Sequence, residues 1–397
     1  MSKSLDSKIE EILTRGVEEI IPNKNGLKEL LKKKKVRLYL GVDPTSPKIH
    51  LGHLVPLKKL KQFQELGHEV ILLFGTFTAQ IGDPSGRDEA RKPLSIKQVK
   101  DNMRTYKEQV SKIIDLSNIQ IEYNADWLAK IAFPELVRVA SNFTVSRLLE
   151  RDMFQKRLKE KKEVWVNELL YPLMQGYDSV AMDVDLEIGA TDQTFNMLVG
   201  RKLQRIFNKK EKFILTTPIL LGLDGRKMSK TFGNTVDITD SPNDIYGKIM
   251  SLTDSLIVPY FELVTNASLE NIKEIKNALL NKKINPRDAK AILARQIVSM
   301  LYGQKIAKEA EEYFDKVFKE KRMPSGIPEI KIKEADINIL KLLVRLKLVS
   351  STSEARRLVF QKGVKIDGIA QEDWKKVISV RKGLVIQIGK RKFIKIV

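Results

Sequence analysis

Two imidazoles three residues apart and two ammonium groups three residues apart are the side chains of this sequence best suited to handling phosphate. The imidazoles stand in His50-Leu51-Gly52-His53, and the chain has only three histidines in all. The ammonium groups stand in Lys227-Met228-Ser229-Lys230-Thr231. Residues at i and i+3 share one side of a helical turn, so a helix beginning at this point would aim both rings the same way. Gly52 between them lets a ligand lie against the backbone. Alone, H-x-x-H is a helix start with two solvated rings, and a lysine-rich segment between Gly225 and Gly233 is a solvated turn. Together in one chain they suit two sides of a nucleotide polyphosphate.

Certain elements must hold these groups in place. Residues 36–42, Val-Arg-Leu-Tyr-Leu-Gly-Val, read as a buried strand, and Asp43-Pro44-Thr45-Ser46-Pro47 breaks it. Apolar residues at 54, 57, 60 and 63, with lysines on the other side, then give a helix over 54–66. Strand, loop and helix in that order aim a helix N-terminus at the crevice outside the strand ends. Further strand-like runs at 69–75, 119–123 and 213–221, with a helical stretch at 95–115 after Ser95, extend the pattern. Residues 1–230 are therefore expected to form an α/β, Rossmann-like, doubly wound domain with a parallel sheet. Residues 130–182 interrupt the rhythm with mainly helical sequence and a charged run from Arg151 to Glu163. Residues 231–322 read as a helical domain and 323–336 as a linker, from Met323-Pro324-Ser325-Gly326-Ile327-Pro328. A small α+β unit is expected at 337–397: a helix from Ile337 to Leu346, a capping signal of Ser351 or Thr352 with Glu354, and a tight hairpin at Gly363–Gly368.

Composition bounds what the chain can be. Its 397 residues suit two or three domains, and 42% hydrophobic with 30% charged residues is ordinary for a globular protein. The net charge is +21, and residues 337–397 hold fifteen Lys or Arg against four Asp or Glu. Such a basic unit implies a polyanionic partner, bound with an affinity that falls steeply with salt. With no cysteine there is neither a disulfide nor a thiolate metal site, so a cytoplasmic location is the default expectation. The longest apolar run, around Val70–Phe77, is too short to span a bilayer, and the N-terminal residues lack an apolar signal core. No membrane partner is expected.

The order Gly41-Val42-Asp43-Pro44-Thr45, His50-Leu51-Gly52-His53, Lys227-Met228-Ser229-Lys230-Thr231 resembles the class I aminoacyl-tRNA synthetases. The residues between resemble the bacterial-type tyrosyl-tRNA synthetases, over nearly the whole chain. The resemblance implies ATP-dependent activation of L-tyrosine, release of pyrophosphate, and transfer to the 3′ end of tRNA(Tyr). It places Thr45, His50, Lys227, Lys230 and Arg87 on the reacting phosphates, with Arg91 beside them. Gly41, Asp43, Gly52, His53 and Asp192 belong to the nucleotide site, His53 and Asp192 orienting the ribose. Tyr171, Gln175 and Asp178 lie at i, i+4 and i+7, one face of a helix. By resemblance, Asp178 with Tyr39 meets the phenolic hydroxyl, while Tyr171, Gln175 and Asp83 hold the α-ammonium and Gln193 lies near the carboxylate. Buried polar groups waiting for a hydroxyl reject phenylalanine by being left unpaired. Ala190 stands where the family usually has a second glycine. The tail resembles an S4 RNA-binding domain, with Arg356, Arg357, Lys362 and Lys365 toward tRNA, and the 130–182 insertion implies a homodimer. Magnesium is expected to arrive with ATP, because the sequence shows no carboxylate cluster dedicated to it. Three other readings stand beside this one: a non-catalytic RNA-binding protein on the same scaffold, a shorter adenylyltransferase relative, and a tryptophan enzyme, against which Tyr39 and Asp178 speak.

Overall fold

The computed structural model describes residues 4–85, 89, 93–228, 232–318, 328–332, 334–389 and 392–397. Residues 1–241 with 248–304 form one compact unit, and 242–247 with 305–397 form a second. This division differs from the boundary expected at 230: the helices over 257–302 belong to the first unit, where Ile257, Phe261, Ile297 and Val298 are fully buried.

The first unit is built on a six-stranded sheet: β1 (Glu19–Ile21), β2 (Arg37–Val42), β3 (Glu69–Phe74), β4 (Gln120–Tyr123), β5 (Leu186–Ala190) and β6 (Phe213–Thr217). Their order is β1-β6-β5-β2-β3-β4. All neighbours pair in parallel except β1, which runs antiparallel to β6 at the edge. Central strands covered on both faces must be apolar throughout, and Val70 to Phe74 are buried without a break. From β2 the chain winds outward through β3 to β4, then returns to β5 and β6 on the other side. The switch point therefore lies between β2 and β5, where such sheets open a crevice at their carboxyl ends.

The helix after β2 runs from Leu51 to Glu65, starting three residues earlier than expected because His50 caps it. Its lysine side is not all exposed. Lys59 is buried, and its ammonium donates to the carbonyls of Ile12 and Arg15, each at 2.6 Å. The helical stretch expected over 95–115 is two helices, Ile96–Met103 and Tyr106–Ser111, the first capped by Ser95. Among the described residues no helix is long and apolar enough to cross a membrane.

The second unit has its own core, including Ile339, Leu342, Leu343, Val359, Val364 and Ile386. The helix at the start of the region expected at 337–397 is Ile339–Arg345, preceded by a short strand at Asp336–Asn338. Ser351 Oγ caps the helix Thr352–Phe360 by accepting from Glu354 N, while the Glu354 carboxylate accepts from Ser350 N. The hairpin joins Val364–Ile366 to Ile369–Ala370 through Asp367 and Gly368, whose φ of 48° and 83° are the left-handed values a two-residue turn demands.

Candidate active site

A cavity of about 790 Å³ opens at the switch point. It is lined at one end by Tyr39, Gln175, Asp178 and Glu187 and at the other by His50, Gly52, His53 and Lys227.

The histidine end is a helix N-terminus. His50 Nδ1 accepts from Gly52 N at 3.1 Å, and His53 Nδ1 accepts from His50 N at 3.4 Å. The two rings thus satisfy amides that the first helical turn leaves without partners. A neutral imidazole that accepts at Nδ1 carries its proton on Nε2, so both rings become Nε2–H donors. Their centroids are 4.0 Å apart. A Cβ on Gly52 would sit 2.9 Å from the His50 ring, so no other residue fits there without moving that ring.

Across the cavity, Lys227 Nζ pairs with Asp192 at 3.1 Å. The base of the lysine loop is tied down by the Asp224 carboxylate, which accepts from Arg226 and from Asn234 Nδ2. These hydrogen bonds, Asn234's first, hold the Asp224 carboxyl at about 2. Lys230, Arg87 and Arg91 lie outside the described residues.

At the other end, polar side chains form two linked networks. In the first, Asp43 accepts from Tyr171 Oη at 2.9 Å and from Thr78 Oγ1 at 2.7 Å. Asn124 Nδ2 reaches Thr78 and the Asp178 carboxylate, and Trp127 Nε1 donates to the other Asp178 oxygen at 2.8 Å. Asp43, expected at the nucleotide, thus has both oxygens engaged by side chains of this network. A Cβ on Gly75 would lie 1.8 Å from Asp43 Oδ1, so the glycine is what gives that carboxylate its place. Burial pushes the Asp178 carboxyl well above the ordinary carboxylate range; the Trp127 and Asn124 hydrogen bonds oppose the rise, and the charges of Glu187 and Asp43 add to it. Burial, then Asp43, likewise raises the Tyr171 phenol.

In the second network, Gln193 Nε2 donates to Asp83 at 2.7 Å, and Asn196 Nδ2 bridges Gln193 and Gln175 at 3.0 and 2.9 Å. Gln175 Nε2 donates to Glu187 at 3.0 Å. Asp83 also accepts from Ser85 N, and Ser85 Oγ accepts from the buried Arg151 at 2.5 Å. The Tyr39 hydroxyl meets Ser179 at 3.1 Å, beside Glu187 and Lys212.

The fold thus gathers Tyr39, Gly41, Asp43, Thr45, Asp83, Tyr171, Gln175, Asp178, Ala190, Asp192 and Gln193 around one cavity with both histidines and Lys227. Sequence reasoning missed Thr78, Asn124, Trp127, Ser179, Glu187, Asn196 and Lys212. Only Glu187, a carboxylate inside an apolar strand, carried a signal. In the second unit, Arg356, Arg357, Lys362 and Lys365 are all exposed; Arg356 stacks 4.1 Å over Trp374, and Lys362 pairs with Glu372.

A switch-point crevice with a histidine-capped helix on one side and a lysine loop on the other belongs to one class of adenylate-forming enzymes. Residues 31–319 match the family described as tRNA synthetases class I (W and Y). Residues 319–396 match the tyrosine–tRNA ligase SYY-like C-terminal domain. The tyrosine–tRNA ligase of Moorella thermoacetica is 47% identical, over 96% of this chain and 94% of that protein. That of Thermotoga maritima is 46% identical, over 97% of this chain and 96% of that protein. The chain belongs to the tyrosyl-tRNA synthetases, of the bacterial type. Among solved structures, a C-terminally truncated mitochondrial tyrosyl-tRNA synthetase of Coccidioides posadasii superposes with a TM-score of 0.63 at 25% identity, covering 78% of this chain and 92% of that one. The Archaeoglobus fulgidus enzyme complexed with L-tyrosine shares the fold with a TM-score of 0.62 at 22% identity, over 78% of this chain and all of that one.

Proposed function

We propose that the chain activates L-tyrosine with ATP and transfers it to the 3′ end of tRNA(Tyr). One observation carries the reading: a single cavity joins a buried polar pocket of amino-acid size to a helix N-terminus and a lysine. The tyrosine carboxylate attacks the α-phosphorus, the bond to the bridging oxygen breaks, and pyrophosphate leaves. A terminal ribose hydroxyl of tRNA then attacks the acyl carbon and releases AMP. No side chain becomes a nucleophile, so catalysis is positioning and stabilisation of charge spreading over the phosphates.

The Nε2–H donor of His50, Thr45 and Lys227 supply that stabilisation, with Lys230 and Arg87 assisting, while His53 orients the ribose. Gly41 and Gly52 let the nucleotide lie against the backbone, and Asp192 accepts from the ribose. The Tyr171 hydroxyl donates its hydrogen bond to Asp43, so its oxygen offers lone pairs to the α-ammonium, as do Gln175 and Asp83. Gln193, held on Asp83, lies near the carboxylate. Asp178 and Tyr39 take the phenol. Magnesium comes in on the phosphates of ATP. Among the described residues no group of three or more His, Cys, Asp or Glu is arranged to hold a metal ion.

The exposed cations Arg356, Arg357, Lys362 and Lys365 face tRNA. Residues 130–182 supply a homodimer interface, which the exposure of Phe133 (77%) and Val166 (72%) supports. A cytoplasmic setting rests on the cysteine-free composition.

Tyrosine-dependent exchange of pyrophosphate into ATP tests the first step, and charging of tRNA(Tyr) the second. Exchange with tryptophan and not tyrosine would overturn the substrate assignment.

A further inference from the structure

Behind Tyr39, at the phenol end of the cavity, lie Lys212, Ser179 and Glu187, a buried cluster to which neither the sequence nor the proposed mechanism gives a part. Lys212, Ser179, Glu187 and Tyr39 are 0%, 0%, 2% and 0% exposed. The Lys212 ammonium donates to Ser179 Oγ at 2.8 Å and pairs with Glu187. Glu187 also takes Gln175 Nε2 at 3.0 Å. Ser179 Oγ stands 3.1 Å from the Tyr39 hydroxyl and 3.4 Å from Glu187.

Donor bookkeeping fixes the direction of this chain. An ammonium has three N–H groups and no acceptor, so Ser179 must accept from Lys212. Glu187 already holds Lys212 and Gln175, and at 3.4 Å it lies at the outer limit for a hydroxyl donor. The Ser179 proton therefore goes to the nearer Tyr39 oxygen. Tyr39, which lines the cavity, then directs its own proton away from Ser179, where the ligand hydroxyl competes with Glu187 for it. Asp178, on the same cavity, accepts.

We propose that Lys212 and Ser179 are specificity-determining positioning residues: the buried ammonium orients a hydrogen-bond chain, Lys212 to Ser179 to Tyr39 to ligand phenol to Asp178, that only a hydroxyl able to accept and donate completes. This rests on the tyrosine reading above. A bare phenyl ring would give the Tyr39 proton no ligand acceptor, and would bring no donor to the Asp178 carboxylate beyond Trp127 and Asn124, in a buried pocket, which is the costly outcome. A buried ion pair is weak evidence for stability, since apolar replacements often serve as well, so stability alone is a poor reason for Lys212. The helix Thr194–Phe207 carries a glycine where the cluster needs room: a Cβ on Gly200 would lie 2.5 Å from Lys212 Nζ and 2.7 Å from Ser179 Oγ.

The test is exchange kinetics of the full chain with tyrosine and with phenylalanine, comparing wild type, Ser179→Ala, the pair Lys212→Met with Glu187→Gln, and all three changes together. Ser179→Ala should lower the tyrosine-over-phenylalanine ratio of kcat/KM by about tenfold, chiefly through tyrosine KM with kcat within about twofold. The triple variant should lose little more, because one cut already breaks the chain. An unchanged ratio in Ser179→Ala overturns the inference, as does an equal fall of kcat/KM for both amino acids, the mark of a merely structural role. Ser179→Ala decides alone where the Lys212 variants fail to fold. A wild type that does not exchange with tyrosine overturns the substrate reading instead.

Discussion

Lys59 offers a measurement that bears directly on how the histidine-bearing helix is held. It is 3% exposed, and its ammonium donates to two backbone carbonyls, those of Ile12 and Arg15. Burial, and then the charge of Arg15, pull that ammonium down to about 7. The unfolded chain holds the same proton until about pH 10.4, so between these values the unfolded state binds more protons. Stability must then rise with pH above 7 and stay flat well below it. For one group titrating at about 7 folded and about 10.4 unfolded, the rise from pH 7 to 9 is about 2 kcal/mol. Lys59→Met deletes that rise. It also strips two carbonyls of a donor, at about 1–3 kcal/mol each, so the absolute stability falls while the slope reports the titration. Lys58 is likewise pulled down to about 7 by burial, but it is only half-buried, so it leaves a smaller residual slope in the variant. Urea unfolding at pH 7, 8 and 9, followed by tryptophan fluorescence, reads the effect. A Trp374→Phe background leaves Trp127 and Trp165, both in the first unit, as reporters. The reasoning is refuted if Lys59→Met keeps the full wild-type rise.

Three further outcomes are expected. Lys227→Ala should slow adenylate formation by about 100- to 1,000-fold in single-turnover assays while tyrosine binding, read by equilibrium dialysis, changes little; lost tyrosine binding would take Lys227 off the phosphates. Asp178→Asn should weaken tyrosine binding without lowering the thermal midpoint at pH 8. The Asp178 carboxyl is raised by burial, so its stabilisation is full below the ordinary carboxylate range and is lost as pH rises through the raised value, and an amide has nothing to lose there; a variant whose stability keeps the full pH dependence of the wild type would count against this. Arg356→Ala with Arg357→Ala should reduce the slope of log affinity for tRNA against log salt by about 2, and an unchanged slope would place both arginines off the RNA.

The sequence made some of this legible and hid the rest for physical reasons. β2, β3 and β6 announce themselves because central parallel strands are apolar on both faces. β5 does not, because Glu187 sits in its middle, and the three-residue β1 is too short to show a pattern. The pairing of His50 with His53 is visible from spacing, but that each ring caps an amide is a fact of backbone geometry. Tyr171, Gln175 and Asp178 share a visible helical face. Their partners Asn124 and Trp127, in one segment, and Asn196, in another, lie far off in the chain, and nothing local to them encodes the meeting. Lys59 misled for a related reason: a lysine reads as solvated unless carbonyls from elsewhere, here Ile12 and Arg15, cover it.

The contact between Lys227 and Asp192 has a consequence for the order of events. On the proposed reading, Asp192 serves the ribose and Lys227 the phosphates, yet in the structure the two serve each other at 3.1 Å. Their side chains are 24% and 52% exposed, so water screens the pair and it is worth no more than about 1 kcal/mol. ATP can therefore break it at little cost: the ribose hydroxyl takes the Asp192 carboxylate, and the released ammonium has a stronger anion within reach. Before that exchange, the pair keeps Asp192 from adding an uncompensated charge to a cavity that already holds Asp43, Asp83, Asp178 and Glu187. Removing Lys227 should then have two separable effects: a slower chemical step, and an Asp192 left without its ion-pair partner in the nucleotide-free protein. The second should show as a loss of no more than about 1 kcal/mol of unfolding free energy in Lys227→Ala. An unchanged stability would mean that the pair contributes nothing in solution.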